Sequence, residues 1–158
     1  MTEALAHGDD ALAGSLAARL DAESQRKLGR SLAVLVAHAA DCGACVLELA
    51  ALRTLRTDLA RLGITLVDTP AAADVLLVSG AMTRTLVAPF RLAYAAMARP
   101  KWVVAVGHCA TDGGPVAKAG PVAGGTDAAI PVDLVIPGCP PTPDAVLAGL
   151  CTILAANL

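Results

Sequence analysis

Four of the chain's five cysteines fall in three short segments that also carry glycine or proline. These are Asp41-Cys42-Gly43-Ala44-Cys45, Gly107-His108-Cys109 and Pro137-Gly138-Cys139-Pro140-Pro141. Thiolates are soft ligands, and four of them brought together select tetrahedral zinc or an iron–sulfur cluster. Structural zinc sites usually come from two close-spaced pairs. Here one C-x-x-C pair is joined by two isolated cysteines, which suits a four-iron cubane better, because its ligands approach from several directions. Cys139 is followed by proline, as in the Cys-Pro ending of bacterial cluster motifs. The neighbouring glycines let backbone amides come close to the sulfurs. A helix beginning near Cys45 would turn its positive end toward a negatively charged cluster. The fifth cysteine, Cys151, lies beside Leu150 and Ile153 in an apolar helical pattern and reads as a buried, inert thiol.

The elements around these segments explain how they can meet. Five short apolar runs, Leu32–Ala37, Ile64–Val67, Val75–Val78, Trp102–Val106 and Val132–Ile136, do not alternate with polar residues. Such runs fit strands buried on both faces, as in a parallel sheet. Helical patterns lie between them. From Val46 to Leu62, Leu52, Leu55, Leu59 and Leu62 share a stripe, with Arg53, Arg56 and Arg61 outside it. Thr85 to Met97 and Pro143 to Leu154 are two further helices. Alternation of strand and helix predicts an α/β fold with a doubly wound, mainly parallel sheet of four to five strands. All four cysteines then follow strands, and in such sheets the loops at the carboxyl ends of the strands converge on one rim where ligands bind. Before the sheet, residues 1–30 read as an N-terminal helical arm, with Leu12, Leu16 and Leu20 four apart; residues 31–158 read as the single domain. Gly- and Pro-rich Asp112 to Thr126 reads as a long irregular loop, a feature usually functional or interfacial.

Composition narrows the function. With 158 residues, 56% hydrophobic, the chain can bury a core without disulfides, and it is not intrinsically disordered. Twelve Lys+Arg against 14 Asp+Glu give no basic footprint for nucleic acid. The only aromatics are Phe90, Tyr94 and Trp102, too few for base stacking. No run approaches the roughly 20 apolar residues of a membrane-spanning helix. The acidic start, with Glu3, Asp9 and Asp10, lacks the pattern of a secretory signal, so a cytoplasmic chain with reduced thiols is expected. The loop after the first strand has no Ser or Thr to hold a flavin phosphate, and no G-x-G-x-x-G follows it to hold a dinucleotide. A thiol-redox enzyme using Cys42 and Cys45 would leave Cys109 and Cys139 unexplained.

Four blocks of sequence resemble the small, cluster-bearing subunit shared by complex I and the membrane-bound [NiFe] hydrogenases. They are Asp41-Cys42-Gly43-Ala44-Cys45-Val46-Leu47-Glu48, then Ala73 to Gly80 with Met82-Thr83-Arg84, then Pro100 to Gly107 with Cys109-Ala110, and Ile130-Pro131-Val132-Asp133 with Ile136 to Pro141. The resemblance runs from about Ser31 to Leu150. It implies a flavodoxin-like fold with one [4Fe–4S] cluster on Cys42, Cys45, Cys109 and Cys139. It also implies an electron-transfer role with no catalytic residue in this chain. Complex I members typically carry adjacent cysteines in the first motif, whereas C-x-x-C resembles the hydrogenase-type members. Gly43-Ala44 departs from their usual Asn-Gly, and His108 stands where a small or acidic residue is usual.

The expectation is therefore a subunit of a hydrogenase-like complex that exchanges electrons with a [NiFe] site in a large subunit. The alternatives are a complex I-type subunit serving quinone beside a 49 kDa-like partner, and a zinc-bearing structural or assembly subunit. Other partners implied are ferredoxin-like or other iron–sulfur subunits. Membrane contact at the inner face of the cell membrane would be indirect, through integral subunits. Glu48, Arg84 and His108 are candidates for tuning the cluster or meeting the partner. Their simpler roles are a carboxylate favoured by the helix dipole, a solvated arginine and a loop histidine.

Overall fold

The computed structural model describes residues 15, 18–19, 21–54, 59–60 and 62–156. The helix expected through Leu12, Leu16 and Leu20 lies outside the described residues. Residues 21–28 are helical, with Ser24 buried and Leu28 packed against the core.

The main sheet has five parallel strands: β1 (Leu32–His38), β2 (Ile64–Leu66), β3 (Val75–Ser79), β5 (Trp102–Val106) and β7 (Leu134–Ile136), in the order β2-β1-β3-β5-β7. Numbered among themselves these strands run 2-1-3-4-5, the flavodoxin-like order. Every residue of β3 and β5 is buried, which is why their sequences run apolar without alternation. Their side chains still divide by face. Leu32, Val34, Val75, Leu77 and Val104 point to α1 (Ala44–Thr54) and α4 (Pro143–Ala156), meeting Leu49, Val146, Leu150 and Leu154. Leu76, Val78 and Val103 point the other way, to Phe90 of α2 (Val87–Ala96), Met97 and Ile130. Full burial of each such side chain contributes about 1.5–3 kcal/mol, so these two layers hold the sheet.

One detail departs from expectation. The segment read as an irregular loop includes β6 (Val122–Gly124), which pairs antiparallel with β4 (Met82–Thr83) in a separate two-stranded sheet. The first helix starts at Ala44, so Cys45 lies in its first turn, in keeping with a helix beginning near Cys45. Among its described side chains Leu49 is the most deeply buried; Leu59 is also buried, and the side chains of Leu52 and Leu55 lie outside the described residues.

At the amino ends of the strands, two aspartates repeat one device. Asp74, just before β3, donates its backbone N–H to the Ala33 oxygen (2.8 Å) and accepts the Ala33 N–H on its carboxylate (2.9 Å). Asp133, just before β7, does the same with Val103, at 2.9 and 2.7 Å. Each carboxylate thus takes the place of a strand carbonyl and starts the ladder in register. At the carboxyl ends, register aligns His38 with Ser79, Ser79 with Val106, and Val106 with Ile136. Four strands therefore stop on one line, and the cysteine segments leave from it.

Candidate metal centre

Cys42 lies in the loop after β1, Cys45 in the first turn of α1, and Cys109 in α3 (His108–Asp112), the short helix that follows β5. Cys139 lies between β7 and α4, and its peptide bond to Pro140 is cis. Thr142 starts α4 by accepting the Ala145 N–H on its hydroxyl (3.3 Å), with Pro143 at the first helical position, where a missing N–H costs nothing.

The structure brings the four cysteines to one place. Cys42, Cys109 and Cys139 line a cavity of about 270 Å³, together with Ala40, Asp41, Pro115 and Val116. Cys45 is buried behind them: a methyl group added at Gly107 would stand 2.8 Å from its sulfur. Gly107 has φ +86°, a conformation that side chains rarely adopt, so glycine there provides both the turn out of β5 and room for the thiol. Likewise a methyl group at Gly114 would stand 2.8 Å from the Cys109 sulfur. The two glycines leave a cradle around the sulfurs that any larger residue would fill.

The thiols feel one another. Burial pushes the Cys45 thiol above the usual thiol range, and Asp41, Cys109, Cys139 and Cys42 push it further. Burial does the same to Cys109, aided by Cys139, Cys42, Asp41 and Asp112. Among the described residues, no three His, Cys, Asp or Glu side chains stand closely enough to hold a single metal ion. Cys42, Cys109 and Cys139 instead stand around a cavity, with Cys45 outside its lining.

The other predicted residues fall at different distances from this centre. His108 is exposed and adjoins Cys109 in α3; its backbone N–H donates to the Gly138 oxygen (3.1 Å), tying the Cys109 segment to the Cys139 segment. Glu48 is half-buried on α1, three residues past Cys45. Arg84 is bound to the long loop: its Nε donates to the Gly120 oxygen (3.1 Å) and its backbone N–H to the Pro121 oxygen (2.9 Å). It therefore anchors the segment that carries Pro115 and Val116 to the cavity. Cys151 is buried in α4 among the core residues, as its apolar neighbours predicted.

Sequence reasoning missed Asp41 and Ser79. Asp41 lines the cavity, accepts the Gly43 N–H on Oδ1 (2.8 Å) and accepts the Ser79 hydroxyl on Oδ2 (3.2 Å). The signal for Asp41 was its place before Cys42. Ser79 offered only a polar residue at the end of a buried strand.

The family model described as "NADH ubiquinone oxidoreductase, 20 Kd subunit" matches residues 42–153. A subunit of the NADH-quinone oxidoreductase of Clostridium beijerinckii is 41% identical over 110 residues, which are 69% of this chain. The chain spans 65% of the length of that curated relative. Among solved structures, a chain of the membrane-bound sulfane sulfur reductase, an archaeal respiratory membrane complex, superposes with a TM-score of 0.70 at 32% identity. The match covers 84% of this chain and 72% of that one. A chain of the NAD⁺-reducing [NiFe]-hydrogenase in its H2-reduced state superposes with a TM-score of 0.63 at 22% identity, over 82% and 94% of the two chains, a likeness of fold.

Proposed function

Because the chain belongs to the family of the 20 kDa subunit of NADH ubiquinone oxidoreductase, we propose that it is the electron-transfer subunit of a membrane-associated oxidoreductase complex. In this reading Cys42, Cys45, Cys109 and Cys139 hold one [4Fe–4S] cluster. The observation that carries the reading is the placement of Cys42, Cys109 and Cys139 on the wall of one cavity of about 270 Å³, with Cys45 buried close to Gly107 and glycines where side chains would crowd the sulfurs. The donor set fits the group: four soft ligands from three chain segments, three of them on the wall of one space.

When bound, the cluster supplies one-electron transfer. The chain's own residues then have the tasks of binding, orienting and excluding. Cys45 is a buried ligand and Cys42 and Cys139 exposed ones, so the site is open on one side, where a second redox centre must approach. Pro115 and Val116 narrow that opening, and Arg84 holds their loop in place. Glu48 and His108 are proposed to tune the site or meet the partner. Among the described residues lining the cavity there is no constellation for a substrate beside the cysteines, and the reading assigns catalysis to a large subunit.

The C-x-x-C spacing favours a hydrogenase-like complex with a [NiFe] site in that subunit. The 41% relative, named as part of an NADH-quinone oxidoreductase, favours the second reading, in which the electrons go to quinone. Nickel bound to the purified complex supports the first; quinone reduction without nickel supports the second. Among the described residues no helix is long and apolar enough to cross a membrane. Attachment at the inner face through integral subunits is accordingly part of the proposal.

Low-temperature EPR of the anaerobically prepared protein after dithionite reduction tests the central claim. About four irons per chain and an S = 1/2 signal that disappears in Cys139→Ala are expected. Zinc in place of iron, with no signal, would make the chain a structural subunit.

A further inference from the structure

The loops that leave β1 and β3 are fastened to each other. Ala39 N–H donates to the Ser79 oxygen (2.7 Å), Ala40 N–H to the Ala81 oxygen (3.0 Å) and Ala81 N–H to the Ala40 oxygen (2.6 Å). Gly80, at φ +87°, makes this possible: a methyl group there would stand 2.8 Å from the Ala40 oxygen. The fastening carries a chain of side-chain hydrogen bonds. Ser79, fully buried, has its hydroxyl 2.7 Å from His38 Nδ1 and 3.2 Å from Asp41 Oδ2. A carboxylate only accepts, so the single Ser79 proton goes to Asp41. The Ser79 oxygen is then left to accept, and His38 must carry its proton on Nδ1 to donate to it. Every donor points the same way, from exposed His38 through Ser79 to the carboxylate on the cavity wall. Gly43 N–H holds the other carboxylate oxygen at 2.8 Å.

We propose that Ser79 and His38 are positioning residues that lock the Asp41 carboxylate onto the cavity wall beside Cys42 and Cys109, and that this fixed negative charge lowers the reduction potential of the bound cluster. The proposal rests on the cluster reading above. A negative charge next to a site that gains an electron disfavours the reduced state, and it does so most where water is excluded. A carboxylate free to swing into solvent would be screened; two hydrogen bonds to one oxygen pair keep it in place.

The test uses the full chain in two states. With iron and sulfide supplied anaerobically, EPR-monitored redox titration is expected to give a higher midpoint potential in Asp41→Asn than in the unaltered chain. Ser79→Ala and His38→Ala should shift it in the same direction by less, and His38→Gln, which keeps a donor toward Ser79, should restore most of the difference. Equal potentials in Asp41→Asn and the unaltered chain, with iron content equal, overturn the proposal. Without metal, NMR is expected to find the His38 proton on Nδ1, and Gly43 amide exchange about tenfold faster in Ser79→Ala, the size of one charge-assisted hydrogen bond. A proton on Nε2, with Gly43 exchange unaltered in Ser79→Ala, removes the tether whatever metal binds. A chain that takes up no iron removes the cluster reading and the potential claim together, and the metal-free measurements still decide the tether.

Discussion

At the scale of the residue, the cysteines differ in what burial does to them. Cys45, Cys109 and Cys151 are all raised above the ordinary thiol value, burial being the largest cause in each. The consequence for stability has a definite sign. In the metal-free protein, thiols of the unfolded chain begin to ionise around the ordinary value of 9.0 while the folded ones stay protonated. Their contribution is complete below that pH and is lost as pH rises through the raised values. Urea-unfolding midpoints measured from pH 8 to 10.5 should therefore fall on the alkaline side. Cys151 is deepest in the core, and replacing it with alanine should flatten the decline by up to about 1.4 kcal/mol per pH unit, on top of a pH-independent cavity cost. Parallel declines in the two proteins would refute this. The four predicted cysteines were legible because thiols are few, and their spacing relative to apolar runs is itself structural information. Asp41 and Ser79 were not, because their significance lies in a hydrogen bond between residues 38 positions apart. Nothing in either residue's local sequence announces the other.

The strands explain why some elements could be read and others could not. β1, β3 and β5 are buried on both sides, so their composition alone marks them. β4 and β6 are two and three residues long, too short for any period to register, and they are strands only because each has the other. The last apolar run, Val132–Ile136, became a strand only from Leu134, because Asp133 turns its carboxylate into the ladder in place of a carbonyl. Its counterpart Asp74 carries more. It accepts the Ala33 N–H and a paired contact from Arg30, at 2.7 Å on each oxygen, and its own backbone oxygen accepts the Trp102 N–H. Asp74 thereby joins the starts of β1, β3 and β5. Truncating it strands a buried backbone donor, a loss of about 1–3 kcal/mol. The Arg30 side chain is 55% exposed, so its pairing adds little on its own, typically under about 1 kcal/mol. Chemical denaturation should accordingly rank Asp74→Ala as clearly more destabilising than Arg30→Ala, with Asp74→Asn, which keeps an oxygen for Ala33, between them. Equal losses in Asp74→Ala and Arg30→Ala would assign the effect to the ion pair instead.

For the whole molecule, the distribution of apolar surface gives the proposed assembly a testable place. The two faces of the sheet are covered by helices, and the strand-end rim carries the cavity, with exposed Cys42 and Cys139 and half-exposed Val116 around it. Leu47, near the start of α1 and two residues past Cys45, is 74% exposed. One exposed leucine is ordinary. A leucine two residues from a proposed cluster ligand is a candidate for more, because in the reading proposed above a second redox centre approaches the cavity's open side. If the proposed partner covers this rim, Leu47 is an exposed apolar side chain close in sequence to Cys45 that its approach is expected to bury. Leu47→Glu changes a solvent-facing position of a helix and should leave unfolding midpoint and iron content within experimental error of the unaltered chain. It should nevertheless weaken co-purification with the large subunit at least about tenfold, the cost of burying an unpaired carboxylate in place of a leucine at an interface. Leu92, 73% exposed on α2 away from the cysteines, provides the control: Leu92→Glu should leave assembly unchanged. If both variants assemble equally well, the large subunit approaches from another side and the cavity's open face has a different occupant. If only Leu47→Glu fails, the rim that gathers the cysteines is also the surface on which the complex is built.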